Sequence, residues 1–541
     1  MSADIILRNA RLLRPDGKGW DETADAVAVG GGILLATGTA AELAGLRGNH
    51  TEEIDLAGAF LTPGLVDGHA HPLQGHDLQV GVDLSGLASP AVLLDRLREA
   101  AAALPPGAWL QGHGLEPAAL DGMERHLADL LAEAAGGRPV FLLFFDYHGV
   151  AVSRAALAAA GITGARTFES GAQITCDAEG RPTGLLLETE AVELVRAALP
   201  RLGEAERLAS MRALFLRMAA AGLTGMHVMD ANGDSLECLA ALEAQGELPL
   251  RFHVLPWVNP GATKAELARV LALQGRAGKH WKVCGTKFFI DGTIDAGTAW
   301  LHAPDTKGES TAAYWPDPAS YSEAVRFFAL KGVQTVTHAI GDAAVRHVLD
   351  TLESVPAPLR HSARHRVEHI EMLPDEDIGR FAALGVVPSM QPSHAARYAS
   401  ADYADNWSRR LGTERAGLGW RCADIAATGA KLVLGSDWPI APYDPREILV
   451  CARTRRLPGM AAHLAVGPDQ RLTPDIALAG LTAHAAHAVR EETRLGALVP
   501  GMLADLTAFT ADPLFAPADE LAAAPFRLTM MGGVVTHHSP G

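Results

Sequence analysis

The most constraining feature of this chain is a long middle section in which apolar, strand-like runs alternate with alanine-rich helical stretches. The runs are LTGMHVMD, RFHVLPW, CGTKFFIDG, QTVTHAIGD, HRVEHIE, VVPSMQPS and LVLGSDWPI. Between them lie amphipathic segments such as YSEAVRFFALKG and DAAVRHVLDTLESV. Strand–helix alternation predicts a parallel sheet, and this many units predicts an α/β fold of the (β/α)₈ TIM barrel type. A doubly wound open sheet is the structural alternative.

The flanks have another character. The first sixty residues (ADIILRNARLL, DAVAVGGGILLATG, EEIDLAGAFLTPG) and the last fifty (GALVPGMLADLTAFTADPL, FRLTMMGGVVTHH) are β-rich runs broken by glycine, aspartate and proline turns. Residues 1–62 and 490–541 are therefore expected to build one composite β-sandwich, with two separate strand pairs as the other arrangement. The barrel is expected over 63–489. Residues 75–200 separate the first strand candidate, LVDGHAHP, from the next by far more than one helix and loop. They predict an inserted α/β subdomain over the barrel mouth.

With 541 residues, 48% hydrophobic and 20% charged, the chain has the balance of an ordinary globular protein large enough for such a barrel. Its net charge of −17, with no basic run, argues against nucleic acid and leaves a small-molecule substrate as the expected partner. The five cysteines (Cys176, Cys238, Cys284, Cys422, Cys451) are dispersed without C-x-x-C spacing, as in a reducing compartment. No apolar run approaches the ~20 residues that span a bilayer, so no membrane association is expected and a cytoplasmic location is.

Metal and catalytic sites in barrels sit at the C-terminal ends of strands. Five runs end in candidate ligands there: His69 and His71 in LVDGHAHP, Lys287 in CGTKFFIDG, His338 in TVTHAIGD, His369 in VEHIE, and Asp437 in LVLGSDWPI. Alternate residues of a strand share a face, so His69 and His71 can reach one ion. Taken singly these are weak signals: with 22 histidines, a His-x-His triplet arises by chance roughly once. An isolated histidine is more often structural, and an aspartate after Gly-Ser often caps a turn. Their weight comes from occurring together, in order, each at a strand end.

The ordered set LTPGLVDGHAHP, CGTKFFIDGTIDAGTAWL, TVTHAIGD, VEHIE and GSDWPI resembles the amidohydrolase superfamily, and within it amidohydrolase family 3, the YtcJ-like and N-substituted formamide deformylase-like group. The resemblance covers nearly the whole chain. It implies a (β/α)₈ barrel with a β-sandwich from both termini and one or two divalent metal ions, usually Zn²⁺. It further implies that His69, His71 and Asp437 hold the more buried ion and that His338 and His369 hold the second. Lys287, carboxylated on its amine, would bridge the two. A possible homodimer follows from the general frequency of twofold assemblies.

Neutral imidazoles and a carboxylate suit zinc, and two neighbouring ions can activate water and polarise a carbonyl. The apolar flanks of Lys287 (Val283, Phe288, Phe289) favour the neutral amine a carbamate needs. Asp437 is the expected general base and acid in hydrolysis of an amide, formamide or cyclic amide. Heterocycle deamination, ester or lactone hydrolysis, and a non-catalytic scaffold are the alternatives. His148 in DYHGV and the aromatics Trp300, Tyr314, Trp315 and Trp438 are substrate-contact candidates, with His113 a weaker one. Asp291, Asp342 and Glu368 are candidates to orient ligands. At Ala296–Gly297 the chain departs from the serine-arginine pair frequent in this group, which alters any substrate contact made there.

Overall fold

The computed structural model of the chain describes residues 2–539 apart from 79, 88, 124–125, 201–202, 247 and 461. Two of its sheets are parallel and carry the candidate ligands. One takes its strands in the order Trp281–Val283, Arg251–Pro256, Leu223–Ala231, Leu65–Ala70. The other runs Thr286–Phe289, Thr335–Ala339, Arg366–His369, Val387–Met390, Val433–Leu434. Parallel bridges link the two sheets at both seams, Ala70 with Trp438 and Trp257 with Lys287.

These strands form where β-branched and apolar residues run together and can be covered on both faces. Leu223–Ala231 and Thr335–Ala339 are buried at every position. Helices supply the cover. In Pro318–Ala329, Asp317 caps the N-terminus by accepting the Ala319 N–H at 3.1 Å, and Pro318 needs no partner in the first turn. Tyr321, Ala324, Val325 and Phe328, at helical spacing, form its buried stripe. Burying a side chain such as Phe328 contributes about 1.5–3 kcal/mol. Gly332, in a left-handed conformation (φ 71°), follows the helix end.

A seven-stranded sheet combines strands from both ends of the chain, in the order Val534–His538, Phe526–Met531, Leu506–Phe509, Glu52–Pro63, Ile5–Leu12, Ala26–Gly30, Ile33–Gly38. Its central pair is antiparallel, with Leu506 opposite Pro63 and Phe509 opposite Phe60. One residue after Pro63 the chain enters Leu65–Ala70, so this sheet feeds directly into the strand that bears His69. A six-stranded sheet lies between Val82 and Leu187 in sequence, with hydrophobic clusters around Leu142 and Val150. Among the described residues no helix is long and apolar enough to cross a membrane.

Candidate metal centre

Close backbone approach brings the ends of Leu65–Ala70 and Val433–Leu434 together. A Cβ on Gly68 would lie 2.2 Å from Val433 Cγ1 and 2.6 Å from the Leu434 carbonyl oxygen, so this position requires glycine. The Asp437 N–H then donates to the His69 carbonyl at 2.7 Å, and the His71 N–H to that of Trp438 at 2.8 Å. Asp437 (φ 59°) and His369 (φ 71°) both hold left-handed backbone conformations although neither is glycine. Such strain, about 1–3 kcal/mol per residue, persists where the surroundings fix a functional geometry.

The result is a carboxylate between imidazoles. Asp437 Oδ1 lies 2.9 Å from His71 Nε2 and 3.3 Å from His69 Nε2. Asp437 Oδ2 lies 3.9 Å from His369 Nδ1 and 4.0 Å from His394 Nε2. Despite the short contacts, Asp437 Oδ1 and His69 Nε2 are buried without an aligned hydrogen-bond partner among the described residues, and so is Lys287 Nζ. Burial pushes the Asp437 carboxyl up, yet the imidazoles of His69, His71 and His369 hold it well below the usual carboxylate range. Burial holds His338, His369 and His394 below the ordinary histidine value, so these rings are neutral, the form that ligates metal. Burial also brings the Lys287 amine down to about 8.

A buried ion-pair network supports this cluster. His69 Nδ1 donates to Glu368 Oε2 at 2.6 Å, which turns Nε2 toward Asp437 Oδ1 at 3.3 Å. Arg366, fully buried, donates to both Glu368 oxygens at 2.9 and 3.0 Å and also to the Gly68 carbonyl and Ser389. Burial raises the Glu368 carboxyl, but Arg366 and His69 bring it down to about 2. Glu368 therefore orients His69 across the site, although the sequence places it beside His369.

His338 stands apart from the two tight groups. Its Nε2 lies 3.1 Å from the Gly292 carbonyl, and its ring packs on His369 and His148, with centroids 4.4 and 5.3 Å away. Among the described residues, the donor groups whose atoms lie within 4.8 Å of one another are His69, His71, Asp437 and His369, His394, Asp437. His394 was not among the sequence candidates because it lies in the helix Pro392–Tyr398, beyond its strand rather than at the strand's end. Asp230, which ends LTGMHVMD and has one orphaned buried oxygen, obeys the strand-end rule and was also passed over.

A cavity opens above the cluster, with His71, Lys287, His338, His369, His394 and Asp437 on its wall. His148 also lines it, its Nδ1 2.8 Å from Glu188 Oε2. Burial opposes its protonation, but Glu188 and Asp146 raise His148 to about 9. The expected aromatic wall is built from other residues. Phe145, Trp257, Tyr398 and Trp420 line the cavity; Trp300, Tyr314, Trp315 and Trp438 do not. Trp315 is committed to the core, where its Nε1 donates to the Phe289 carbonyl at 2.9 Å, and Trp300 packs on His347. Trp438 packs on Tyr443.

The remaining candidates are placed as follows. His113 is not on the cavity wall. Asp291 binds the backbone N–H groups of Trp300, Ile340 and Gly341, and Asp342 that of His302. Both tie loops together rather than hold a ligating ring, Asp291 Oδ1 lying 3.7 Å from His338 Nε2. At the Ala296–Gly297 departure, a Cβ on Gly297 would meet Arg410 Nη1 at 2.6 Å, so Arg410 closes that space from another segment.

The chain is 29% identical over 531 residues to the Bacillus subtilis (strain 168) amidohydrolase YtcJ, covering 95% of this chain and 96% of the relative. It is 26% identical over 547 residues to the N-substituted formamide deformylase of Arthrobacter pascens, covering 99% of each. A crystal structure of an uncharacterised metal-dependent hydrolase from Pyrococcus horikoshii OT3 superimposes with a TM-score of 0.73 at 22% identity, over 95% of this chain and 99% of that one. A sequence model of the amidohydrolase family matches residues 52–537, and the chain belongs to that family.

Proposed function

We propose that the chain is a metal-dependent hydrolase that cleaves a C–N bond of a small amide, formamide or cyclic amide. The observation that carries this reading is the buried cluster in which Asp437 Oδ1 stands 3.3 Å from His69 Nε2 and 2.9 Å from His71 Nε2. It lies beneath a cavity lined by His71, Lys287 and Asp437, and His69 Nε2, Asp437 Oδ1 and Lys287 Nζ each lack an aligned hydrogen-bond partner among the described residues. Buried polar groups without partners are costly, and a divalent cation resolves the cost for the imidazole and the carboxylate. The donor set of neutral imidazoles and a carboxylate fits zinc. The formamide deformylase and amidohydrolase relatives support the bond type. In this reading the two parallel sheets are one closed (β/α)₈ barrel, capped by the six-stranded insertion and flanked by the composite sheet.

His69, His71 and Asp437 would hold the buried ion, with Lys287, His338 and His369 beside it. When bound, the metal supplies Lewis acidity toward the substrate carbonyl and toward water. Asp437 then takes the proton of the attacking water and delivers it to the departing nitrogen. Glu368 keeps the His69 proton on Nδ1 throughout. Neutral Lys287 Nζ, adding to carbon dioxide with loss of one proton, would give the carbamate that supplies a further anionic ligand. The aromatic wall limits water around the reacting bond.

The test is a hydrolysis panel of N-formyl and N-acyl amines, matched esters and amino-heterocycles, with chelator and with zinc restored. Amine release that chelator abolishes and zinc restores is the expected result. Release that survives complete metal removal would sink the metal reading, and cleavage of esters alone would sink the bond assignment.

A further inference from the structure

We propose that the substrate carries a protonated amine, and that Asp295 and Glu371 form the carboxylate subsite of the cavity that receives it. This rests on the hydrolase reading above and names the substrate class that reading leaves open.

The pair is assembled from two strand ends and one helix. Asp295 follows the strand Thr286–Phe289, Glu371 follows Arg366–His369, and both line the cavity. Consecutive residues of the helix Asn406–Leu411 hold one oxygen of each. Asn406 Nδ2 donates to Asp295 Oδ1 at 2.8 Å, and Trp407 Nε1 donates to Glu371 Oε2 at 2.7 Å. Among the described residues no hydrogen bond reaches the second oxygen of either, Asp295 Oδ2 or Glu371 Oε1. Glu371 is 8% exposed, and Asp295 is the like charge that acts on it most strongly.

Two carboxyls so placed are costly to ionise without a cation. Among the described residues no cationic side chain lies within ion-pair distance of either one. Arg410, which does act on Asp295, is committed to Asp305 and Glu309, each at 2.7 Å. On the cavity wall, Arg196 faces Glu193 at 2.6 Å and His148 faces Glu188 at 2.8 Å. Lys287 stands under the influence of Glu368 and Asp437. Burial, with Asp146 and Asp405 adding like charge, raises the Asp295 carboxyl to about 7. A metal held by His69, His71 and Asp437 leaves this pair without a partner of its own.

The neighbouring ring suits the same ligand. The Trp420 backbone N–H donates to the Glu371 carbonyl at 2.9 Å, and its indole lines the cavity, stacked on Trp407 with ring centroids 4.3 Å apart. Aromatic faces attract cations. An ammonium can donate to both free carboxylate oxygens, whereas a neutral alkyl group leaves them bare. The simplest such substrate is a mono-N-formylated diamine. Its hydrolysis consumes one water and releases formate and the diamine, the distal ammonium remaining unchanged.

The experiment compares kcat/KM of the zinc-loaded chain for mono-N-formyl diamines of increasing length and for N-formyl alkylamines of matched length. The distal amine, with a pKa of about 10.4, is protonated at pH 7. The cationic series is expected to be preferred by about 10- to 100-fold at its best length, the scale of one hydrogen bond to a charged group. Asp295→Asn is expected to cut that ratio at least about tenfold. Equal kcat/KM for the two series, or a ratio unchanged in both Asp295→Asn and Glu371→Gln, overturns the inference and leaves the hydrolase reading standing. Calorimetric titration of the zinc-loaded chain with butylammonium, against butanol, reads the subsite without turnover. Butylammonium binding that weakens at least about tenfold in Asp295→Asn and in Glu371→Gln supports the subsite; equal binding overturns it. Such binding with neither series cleaved would keep the subsite and sink the bond assignment.

Discussion

Nδ1 of His69 lies 2.6 Å from Oε2 of Glu368, and both side chains are fully buried. Because Arg366 keeps Glu368 ionised, this contact fixes which nitrogen of His69 is free. Replacing Glu368 with Gln keeps the shape but removes the charge. Zinc affinity should fall about 10–100-fold, as for other outer partners of metal-ligating histidines. A zinc titration leaving affinity within threefold of the native value would remove Glu368 from this role.

Arg366 is the costlier member of the pair to lose. Its replacement by Met strands the Glu368 charge in the interior, and breaking a buried pair from one side costs about 3–5 kcal/mol. Chemical denaturation should detect that loss, and Arg366→Met/Glu368→Gln should recover part of it. Equal stability for the native and Arg366→Met chains would contradict the network.

Asp437→Asn should abolish most turnover, by roughly 10²–10⁴-fold if its main contribution is proton transfer, while bound metal largely survives. Turnover is read as amine release and metal by elemental analysis. Near-native turnover in this variant would reassign the base.

Trp420 lines the cavity, and its Nε1 has no hydrogen-bond partner among the described residues. Trp420→Phe therefore strands no acceptor, and its effect should come through lost contact with substrate. KM should rise about tenfold, the scale of one lost apolar contact, with kcat nearly unchanged. Trp315→Phe, away from the cavity, should leave KM alone and lower stability instead. The reverse pattern would restore the aromatic wall expected from sequence.

His365 links acid stability to the strand that carries His338. It accepts from the Thr335 N–H and hydroxyl at 3.1 and 2.8 Å, and burial, with Arg490 and Arg360, lowers it to about 3. The folded chain keeps this ring neutral where the unfolded chain, near pH 6.5, protonates it. The unfolded state thus binds more protons as pH falls, so this stability is present above about pH 6.5 and is lost progressively toward pH 3. His365→Gln should flatten the decline in urea midpoint between pH 7 and 4. An unchanged slope would exclude His365 as a source.

The strand ends were readable because the constraint on them is local. LVDGHAHP and LVLGSDWPI each combine an apolar run with a polar terminus, and the structure brings Asp437 within 3.3 Å of His69. The partnership of Glu368 with His69 was not readable: the residues are 299 positions apart, and nothing local to VEHIE indicates which way its carboxylate turns. His394 escaped for another reason. It follows MQP, past the point where a strand-end rule stops looking, and only the turn into Pro392–Tyr398 swings it back toward Asp437. The aromatic wall failed because a tryptophan near a motif serves core and cavity equally well by composition. Only packing separates Trp315 from Trp420.

The pairing of Glu52–Pro63 with Leu506–Phe509 has a kinetic consequence. During synthesis the histidine-bearing strand Leu65–Ala70 emerges early, but the neighbour that braces its approach arrives more than 400 residues later. Until then the edge of Glu52–Pro63 that Leu506–Phe509 covers stays open, and open edges aggregate. The strand that feeds into the His69-bearing one is thus completed only by a contact of very high sequence separation, the kind that slows folding. Destabilising Leu506–Phe509 should lower the yield of active protein far more than the activity of each molecule that matures.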